Sequence, residues 1–211
     1  MCAQPKSRPR SPAAAFSASP IGRRSLLAGS VGAAGLFALG AAASGGSGTL
    51  IRPPGAADPQ AFLSRCLRCD RCRSVCPTGV IGVGGFSDGL AVMRTPVMNY
   101  RHGYCDFCRK CAEVCPTGAI LDFDPETEKV GLAEITEACI ALRTGACTKC
   151  HEACPYDAVK LDAQNRPIID ADRCNGCGKC ELICPASVFQ AYKRGMEKGV
   201  VVRPLKKGGA L

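Results

Sequence analysis

Four groups of four cysteines, each followed directly by a proline, lie within residues 66–185. Three groups have the spacing C-x2-C-x2-C-x3-C-P, and the third group along the chain differs only in a first gap of seven residues. This spacing is typical of bacterial [4Fe-4S] binding, in which three cysteines wrap one cluster and the fourth ligates a neighbouring cluster. We therefore expect four [4Fe-4S] clusters. The predicted ligands are Cys66, Cys69, Cys72, Cys76, Cys105, Cys108, Cys111, Cys115, Cys139, Cys147, Cys150, Cys154, Cys174, Cys177, Cys180 and Cys184.

Two other uses of cysteine fit this array less well. Zinc takes four ligands, usually as two separated pairs, and has no use for a third cysteine at the next three-residue step. Disulfides are favoured in oxidising compartments, but cysteines three residues apart are poor partners for one another. Four copies of one pattern indicate four copies of one site.

The formal charge of +9 does not indicate a nucleic-acid partner. Residues 1–43 contain five of the 27 basic residues and none of the 18 acidic ones, so the rest of the chain carries +4. Each oxidised cluster with its four thiolates adds about −2, which leaves that part near −4 when four clusters are bound. No nucleic-acid-binding motif or aromatic platform accompanies the basic residues. We expect no nucleic acid among the partners.

Residues 1–43 have the pattern of a twin-arginine (Tat) signal peptide. Arg23 and Arg24 precede two leucines and an uncharged stretch rich in alanine and glycine, which ends in three alanines at residue 43. This stretch is barely long enough to span a membrane, and its weakly apolar composition favours cleavage over a retained anchor. Tat exports folded proteins, so clusters inserted in the reducing cytoplasm commit the thiols before export. We therefore expect a periplasmic protein.

The rest of the chain divides into a linker, one domain and a tail. Residues 44–57 contain Gly-Gly-Ser-Gly and a Pro-Pro pair, which predicts a flexible linker. Residues 58–192 are expected to form an α+β fold of bacterial ferredoxin-like modules in two pairs. Asp58-Pro59 predicts the start of its first helix, and residues 157–170 show most clearly the repeated plan of a helical turn and a hairpin. Residues 193–211 contain six basic side chains, which favour a solubilising tail over one that lies against anionic lipid or a membrane partner.

The chain resembles the MauM/NapG family of periplasmic ferredoxin-type proteins over essentially its whole length. The resemblance rests on Arg23-Arg24 with its leucines, the four cysteine groups and the irregular third group. It implies a carrier that passes electrons from a membrane-bound, quinol-oxidising iron–sulfur partner (NapH-like) to a periplasmic reductase or cytochrome, usually of the periplasmic nitrate reductase system. The MauM branch serves methylamine utilisation instead. Such a carrier is expected at the periplasmic face of the inner membrane, held there by its partner.

Two other functions are compatible with the same cysteines. One is a permanent, β-type electron-transfer subunit of a molybdenum oxidoreductase complex, and the other is a maturation factor for a partner reductase. In the carrier and the subunit alike, each cluster exchanges single electrons. No residue is therefore predicted to be catalytic, and the chain is expected to have no substrate site of its own.

The cysteine groups can pair in two ways. Tandem pairing joins the first group with the second and the third with the fourth, and it closes the shortest loops. Nested pairing joins the first with the fourth and the second with the third, as in the similar four-cluster β subunits of molybdenum oxidoreductases, and this resemblance slightly favours nesting. The sixteen ligands are the same in both arrangements.

Other polar side chains lie close to the cysteines in sequence. His151, between Cys150 and Cys154, is in a position to tune a cluster through a hydrogen bond, although the complete cysteine quartet argues against a ligand role. Four arginines surround the first cysteine group. They either raise the reduction potential of the cluster bound there, dock an acidic partner or form a solvated loop. They are Arg65, Arg68, Arg71 and Arg73.

Overall fold

The computed structural model describes residues 50–186 and 198–205. The predicted signal peptide with Arg23 and Arg24 lies outside the described residues. Among those described, no helix is long and apolar enough to cross a membrane. The helices are α1 (Pro59–Arg65), α2 (Arg71–Ser74), a 3-10 helix (Phe86–Asp88), α3 (Lys110–Glu113), α4 (Ile140–Thr144), α5 (Lys149–Glu152) and α6 (Lys179–Ile183). The strands are β1 (Ile81–Val83), β2 (Pro96–Met98), β3 (Gly131–Ile135), β4 (Val159–Leu161), β5 (Pro167–Ile169) and β6 (Val200–Pro204).

Helix α1 begins where the sequence predicts, because Asp58 caps its first turn. The Asp58 carboxylate accepts a hydrogen bond of 3.1 Å from the backbone N–H of Gln60, and Pro59 occupies the first helical position. Phe62 is the buried side chain of the helix. The Arg52 guanidinium lies 5.0 Å from the centroid of the Phe62 ring, a cation–π contact. The Asp58 cap and the buried Phe62 thus fix the position of α1, which leads directly into Cys66.

Residues 50–57 pack against the domain, so the prediction of a flexible linker is wrong for this part. Ile51 is buried, and its carbonyl accepts a hydrogen bond of 2.8 Å from the backbone N–H of Met98. The carbonyl of Gly55 accepts another, of 3.0 Å, from the N–H of Leu121. These bonds join residues far apart in the sequence, which composition alone does not reveal. Residues 44–49 lie outside the described residues.

The described strands form three antiparallel ribbons of two strands each: β1 with β2, β3 with β6, and β4 with β5. The β4–β5 hairpin is the one predicted within residues 157–170. In its turn Asn165 adopts the left-handed conformation (φ 57°), and the Asp162 carboxylate accepts hydrogen bonds of 2.8 Å from the N–H groups of Gln164 and Arg166. The mixture of short helices and ribbons agrees with the expected α+β class.

Strand β6 corrects the predicted C-terminal tail. It pairs with β3 along the full length of both strands. Val200 and Val202 are buried while Arg203 is exposed, which is the alternation of a strand with one face toward a core. Residues 200–204 therefore belong to the domain, whereas residues 193–197 and 206–211 lie outside the described residues.

The core of the described chain mixes apolar side chains with cysteines. One group of buried residues includes Val80, Phe107 and Cys105, and a second includes Val159 and Cys180. A third is built on Phe62 and Ile120, with partly buried cysteines packed against it. The apolar interior of this small domain therefore lies around its thiols.

Candidate metal centres

The sixteen cysteines of the four groups line four pockets, four thiols to a pocket, and none is in a disulfide. Pocket A is lined by Cys66, Cys69, Cys72 and Cys115. Pocket B is lined by Cys76, Cys105, Cys108 and Cys111. Pocket C is lined by Cys154, Cys174, Cys177 and Cys180. Pocket D is lined by Cys139, Cys147, Cys150 and Cys184.

Each pocket takes three thiols from one group and the last thiol from another. Pockets A and B exchange the fourth cysteines of the first and second groups, and pockets C and D exchange those of the third and fourth groups. The thiols of the described residues are thus grouped in the tandem way. They do not have the nested grouping that the resemblance slightly favoured. Tandem pairing joins groups that are adjacent in sequence, which closes the shorter loops at a lower entropic cost.

Left-handed residues bend each regular group around its pocket. Two such residues separate the first three cysteines in the first, second and fourth groups, and they aim the three thiols at one point. They are Arg68 and Asp70 (φ 55° and 60°), Phe107 and Arg109 (54° and 64°), and Gly176 and Gly178 (77° and 81°). A non-glycine residue in this conformation costs about 1 kcal/mol or more. Contacts elsewhere in the domain must therefore hold the first two loops in this shape.

The irregular third group uses its longer gap to form a helix. Cys139 directly precedes α4, and Gly145 ends the helix in the left-handed conformation (φ 63°). Cys147 follows two residues later and still lines pocket D with Cys139 and Cys150. The seven-residue gap therefore replaces a tight loop with a helical turn and leaves the set of three thiols intact.

Backbone N–H groups point at the fourth cysteine of several groups. The N–H of Ile120 donates to the Cys115 sulfur (3.5 Å), and the N–H of Ala158 donates to the Cys154 sulfur (3.3 Å). After Cys115, the left-handed Gly118 (φ 62°) turns the chain so that these later N–H groups face back toward the sulfur. Such hydrogen bonds stabilise a thiolate and raise the potential of a cluster bound to it.

The thiols of pockets A and B differ in pKa for a visible physical reason. Burial raises the pKa of Cys72 and of Cys105 to about 12 and that of Cys111 to about 11. Burial acts in the same direction on Cys76 and Cys115, but hydrogen bonds from the following threonine and from backbone N–H groups outweigh it and lower the pKa of both. Cys76 and Cys115 are thus better prepared to bind as thiolates than Cys72, Cys105 and Cys111.

The pockets fit a multinuclear cluster better than a single ion. Within residues 50–186 and 198–205, no group of three His, Cys, Asp or Glu side chains could hold one metal ion. Four soft thiol donors around a larger space are what a [4Fe-4S] cluster needs.

Pockets B and C meet at a buried junction. The backbone N–H of Cys105 donates a hydrogen bond of 2.8 Å to the carbonyl of Cys177. Beside it, the Tyr100 hydroxyl donates to the carbonyl of Gly176 (2.7 Å) and is buried. At the same contact, the Lys179 ammonium lies 5.1 Å from the centroid of the Tyr104 ring. The two pairs of pockets are therefore connected through one cysteine of each.

Of the other polar side chains singled out in the sequence, His151 contacts no sulfur and two of the four arginines line a pocket. The His151 Nδ1 lies 2.6 Å from the carbonyl of Val159, a hydrogen bond that attaches α5 to β4 and does not involve a sulfur. The arginines of the first group are all exposed, and Arg68 and Arg71 line pocket A. The junction at Tyr100 was missed from the sequence, because no local pattern links Tyr100 to the fourth group.

Two models of known families match the chain. The family described as "4Fe-4S dicluster domain" matches residues 65–119, and "4Fe-4S binding domain" matches residues 166–192. The first match spans the first two cysteine groups. No solved structure matches the chain significantly.

Several characterised proteins are similar to the chain. "Ferredoxin-type protein NapF" of Escherichia coli strain K12 is 32% identical over 149 residues, which are 67% of this chain and 84% of that protein. The "Methylamine utilization ferredoxin-type protein MauM" of Methylorubrum extorquens is 31% identical over 185 residues, 77% of this chain and 84% of that protein. The chain belongs to the family of NapF-, NapG- and MauM-like ferredoxin-type proteins. "Ferredoxin-type protein NapG" of Escherichia coli strain K12 is 34% identical over 156 residues, 65% of this chain and 67% of that protein.

Membership of this ferredoxin-type family agrees with the thiol pockets. The family relationship and the two [4Fe-4S] domain matches support the binding of [4Fe-4S] clusters and a role in iron–sulfur electron transfer. The resemblance to the MauM/NapG family is confirmed.

Proposed function

We propose that this ferredoxin-type protein binds four [4Fe-4S] clusters, one in each of pockets A to D, and acts as an electron carrier. A bound [4Fe-4S] cluster accepts and donates one electron at a time. The protein supplies the thiolates, the N–H donors to sulfur and the burial that together set the potential. The observation that carries the proposal is the contact of the two pairs of pockets through Cys105 and Cys177.

This contact supports a linear order of the pockets, A–B–C–D. Pockets A and B are adjacent because the first and second groups exchange their fourth cysteines, and C and D are adjacent for the same reason. The hydrogen bond between Cys105 and Cys177 joins B to C. A linear order leaves A and D as the ends at which partners would exchange electrons with the protein.

The partners and the location follow from the sequence resemblance. The carrier would receive electrons from a membrane-bound, quinol-oxidising iron–sulfur protein (NapH-like) and deliver them to a periplasmic reductase, that of the nitrate reductase system. Export would use the Tat signal with Arg23-Arg24 and would place the protein in the periplasm. The cysteine groups and the signal pattern support this assignment together, since Tat transports proteins that already hold their cofactors.

A second candidate is a carrier in methylamine utilisation. Two of the similar proteins, from Methylorubrum extorquens and Paracoccus denitrificans, have the name "Methylamine utilization ferredoxin-type protein MauM". The alignment with the first of them extends over 77% of this chain, compared with 65% for NapG of Escherichia coli strain K12. This wider coverage favours testing methylamine beside nitrate.

A deletion strain tests the proposed function. Nitrate reduction by intact cells is measured once with quinol-linked respiration and once with an artificial dye that reduces the reductase directly. Loss of the quinol-driven rate alone, restored by the wild-type gene, is the expected result. Loss of both rates indicates a maturation factor. If neither rate changes, growth on methylamine is measured next. Failure of growth on methylamine indicates a carrier for methylamine utilisation. In a separate experiment, co-purification of a molybdenum-containing catalytic subunit with the protein indicates a β-type subunit.

A further inference from the structure

Apolar side chains are exposed beside pocket A. Leu67, between the first two cysteines of the first group, is 67% exposed and also lines the pocket. Phe86 is 76% exposed and Leu90 is 59% exposed in the segment between β1 and β2. Cys69, a thiol of pocket A, is itself exposed. A thiol at the surface brings the edge of a bound cluster close to any protein that docks there.

Two contacts fix the segment with Phe86 and Leu90 to the cysteine loop. The Arg68 guanidinium donates a hydrogen bond of 2.9 Å to the carbonyl of Ala91. The Arg94 guanidinium forms an ion pair of 3.1 Å with the Asp70 carboxylate. Both cross-links join residues that lie 23 or 24 positions apart and end on either side of Cys69. The apolar side chains and the exposed thiol therefore belong to one organised surface.

The charge of this surface is basic on balance, because its exposed arginines outnumber Asp88, the carboxylate between Phe86 and Leu90. Arg65, Arg68, Arg71 and Arg73 are all exposed around the cysteine loop. The one carboxylate within that loop, Asp70, is already paired with Arg94. An apolar centre with a charged rim is the usual construction of a protein–protein interface, and a rim of one sign selects and steers a partner of the opposite sign.

We infer that the surface formed by Arg65, Leu67, Arg71, Arg73, Phe86 and Leu90 around Cys69, here named the Cys69 surface, docks a redox protein with an acidic rim. This inference rests on the proposed electron-carrier function and identifies the A end of the pocket order as an end where electrons are exchanged. Pairing of the same surface on two copies of this chain is disfavoured, because it would bring like charges together. A lipid bilayer is disfavoured because it accepts no electrons from an exposed thiol-bound cluster.

The other described thiol that is exposed, Cys108 of pocket B, has different surroundings. Asp106 lies two residues before it, and Arg109 forms an ion pair of 3.6 Å with Asp122. Lys110 is the remaining cation next to Cys108 in sequence. The two cations near Cys108 are matched by Asp106 and Asp122, so this position has no excess of positive charge, which favours the Cys69 surface as the docking face.

The first test is the salt dependence of electron exchange with a small anion. The full chain with four reduced clusters has a net charge near −3, since its formal charge of +9 is offset by about −12 from the clusters, about −3 for each reduced cluster with its four thiolates. If net charge controlled the rate, oxidation of the reduced protein by ferricyanide, followed in a stopped-flow instrument, would therefore become faster as added salt screens the repulsion between the two negative reactants. If exchange occurs at the Cys69 surface, the rate falls about tenfold as the Debye length shrinks from about 30 Å to about 3 Å.

Three double variants with the same change in charge locate the exchange site. Arg71→Gln/Arg73→Gln should remove most of the salt dependence, whereas Arg143→Gln/Arg166→Gln, on exposed residues of the other pair of modules, should leave it unchanged. Arg109→Gln/Lys110→Gln tests exchange at Cys108. The inference is overturned if the third variant removes the salt dependence, or if the first variant behaves like the wild type. A protein that shows no cluster absorbance, or no reversible bleaching, contradicts the proposed function instead.

The second test identifies the occupant without relying on turnover. Phe86→p-benzoylphenylalanine places a photo-crosslinker on the Cys69 surface, and Ile168→p-benzoylphenylalanine is the control, because Ile168 is 56% exposed on β5. Irradiation of cells that carry the full chain should join Phe86 alone to a protein with a redox cofactor and an acidic face, and Arg71→Gln/Arg73→Gln should reduce the yield severalfold. Crosslinks to lipid or to a second copy, crosslinks that the double variant does not reduce, or the absence of any crosslink overturn the inference.

Discussion

Substitution of Gly178 by alanine tests the junction between the two pairs of modules. A Cβ atom at Gly178 would lie 1.9 Å from Cδ1 and 2.3 Å from Cε1 of Tyr100, and the residue has a φ of 81°. The left-handed conformation costs alanine about 1 to 2 kcal/mol. The overlap with the buried Tyr100 ring adds about 1 to 3 kcal/mol of overpacking. We expect a total destabilisation of about 2 to 5 kcal/mol.

Gly79→Ala is the matched control for Gly178→Ala. Gly79 also has a left-handed backbone (φ 66°), but a Cβ atom there would have no neighbour within 4 Å. This variant should therefore lose only the conformational part, about 1 to 2 kcal/mol. The difference between the two variants isolates the contact with Tyr100 and should be about 1 to 3 kcal/mol, or about 2 to 12 °C in midpoint temperature for a domain of this size.

The assay is the thermal loss of cluster absorbance under anaerobic conditions. All variants are heated at one scan rate, because loss of clusters is irreversible and its midpoint depends on the rate. In a Tyr100→Ala background the cost of Gly178→Ala should fall close to that of Gly79→Ala, since the ring that causes the overlap is absent. Equal midpoints for Gly178→Ala and Gly79→Ala in the wild-type background would refute the described contact.

Four further variants test other parts of the fold by the same thermal assay. Tyr100→Phe leaves the buried carbonyl of Gly176 without its donor and should cost about 1 to 3 kcal/mol; an unchanged midpoint would contradict the hydrogen bond. Arg52→Met removes two hydrogen bonds to the start of β2 and one cation–π contact, and it should cost about 1 to 3 kcal/mol; no loss would mean that residues 50–57 are not docked as described. Val202→Ala should cost about 2 kcal/mol and Arg203→Ala less than about 1 kcal/mol, because only the valine is buried; equal costs would argue against β6.

The local spacing of the cysteines was enough to predict which three thiols share a loop. Short spacing dictates loop geometry, and glycines such as Gly176 and Gly178 mark its left-handed turns in the fourth group. The destination of the fourth thiol depends on which modules pack together, and that is a long-range property. In the described pockets, thiols are shared between groups adjacent in sequence, as loop closure entropy favours and unlike the nested arrangement suggested by analogy with four-cluster subunits.

Composition misled the sequence interpretation at both ends of the domain. Prolines and glycines suggested a linker at residues 50–57, but the docking of Ile51 depends on β2, far away in the sequence. Basic residues suggested a tail at residues 193–211, although the alternation of buried Val200 and Val202 was a weak strand signal within it. The role of His151 was also not predictable from local sequence. Its hydrogen-bond partner, the carbonyl of Val159, is set by the packing of α5 on β4.

The most direct test of the account is to count intact clusters by Mössbauer spectroscopy in two double variants. Cys66→Ser/Cys115→Ser removes two thiols from pocket A and leaves the other three pockets complete. Cys66→Ser/Cys76→Ser removes two thiols of the same sequence group, but takes one from pocket A and one from pocket B. The account predicts that about three clusters stay unperturbed in the first variant and about two in the second. The reverse result, with two clusters perturbed in the first variant and one in the second, would contradict it.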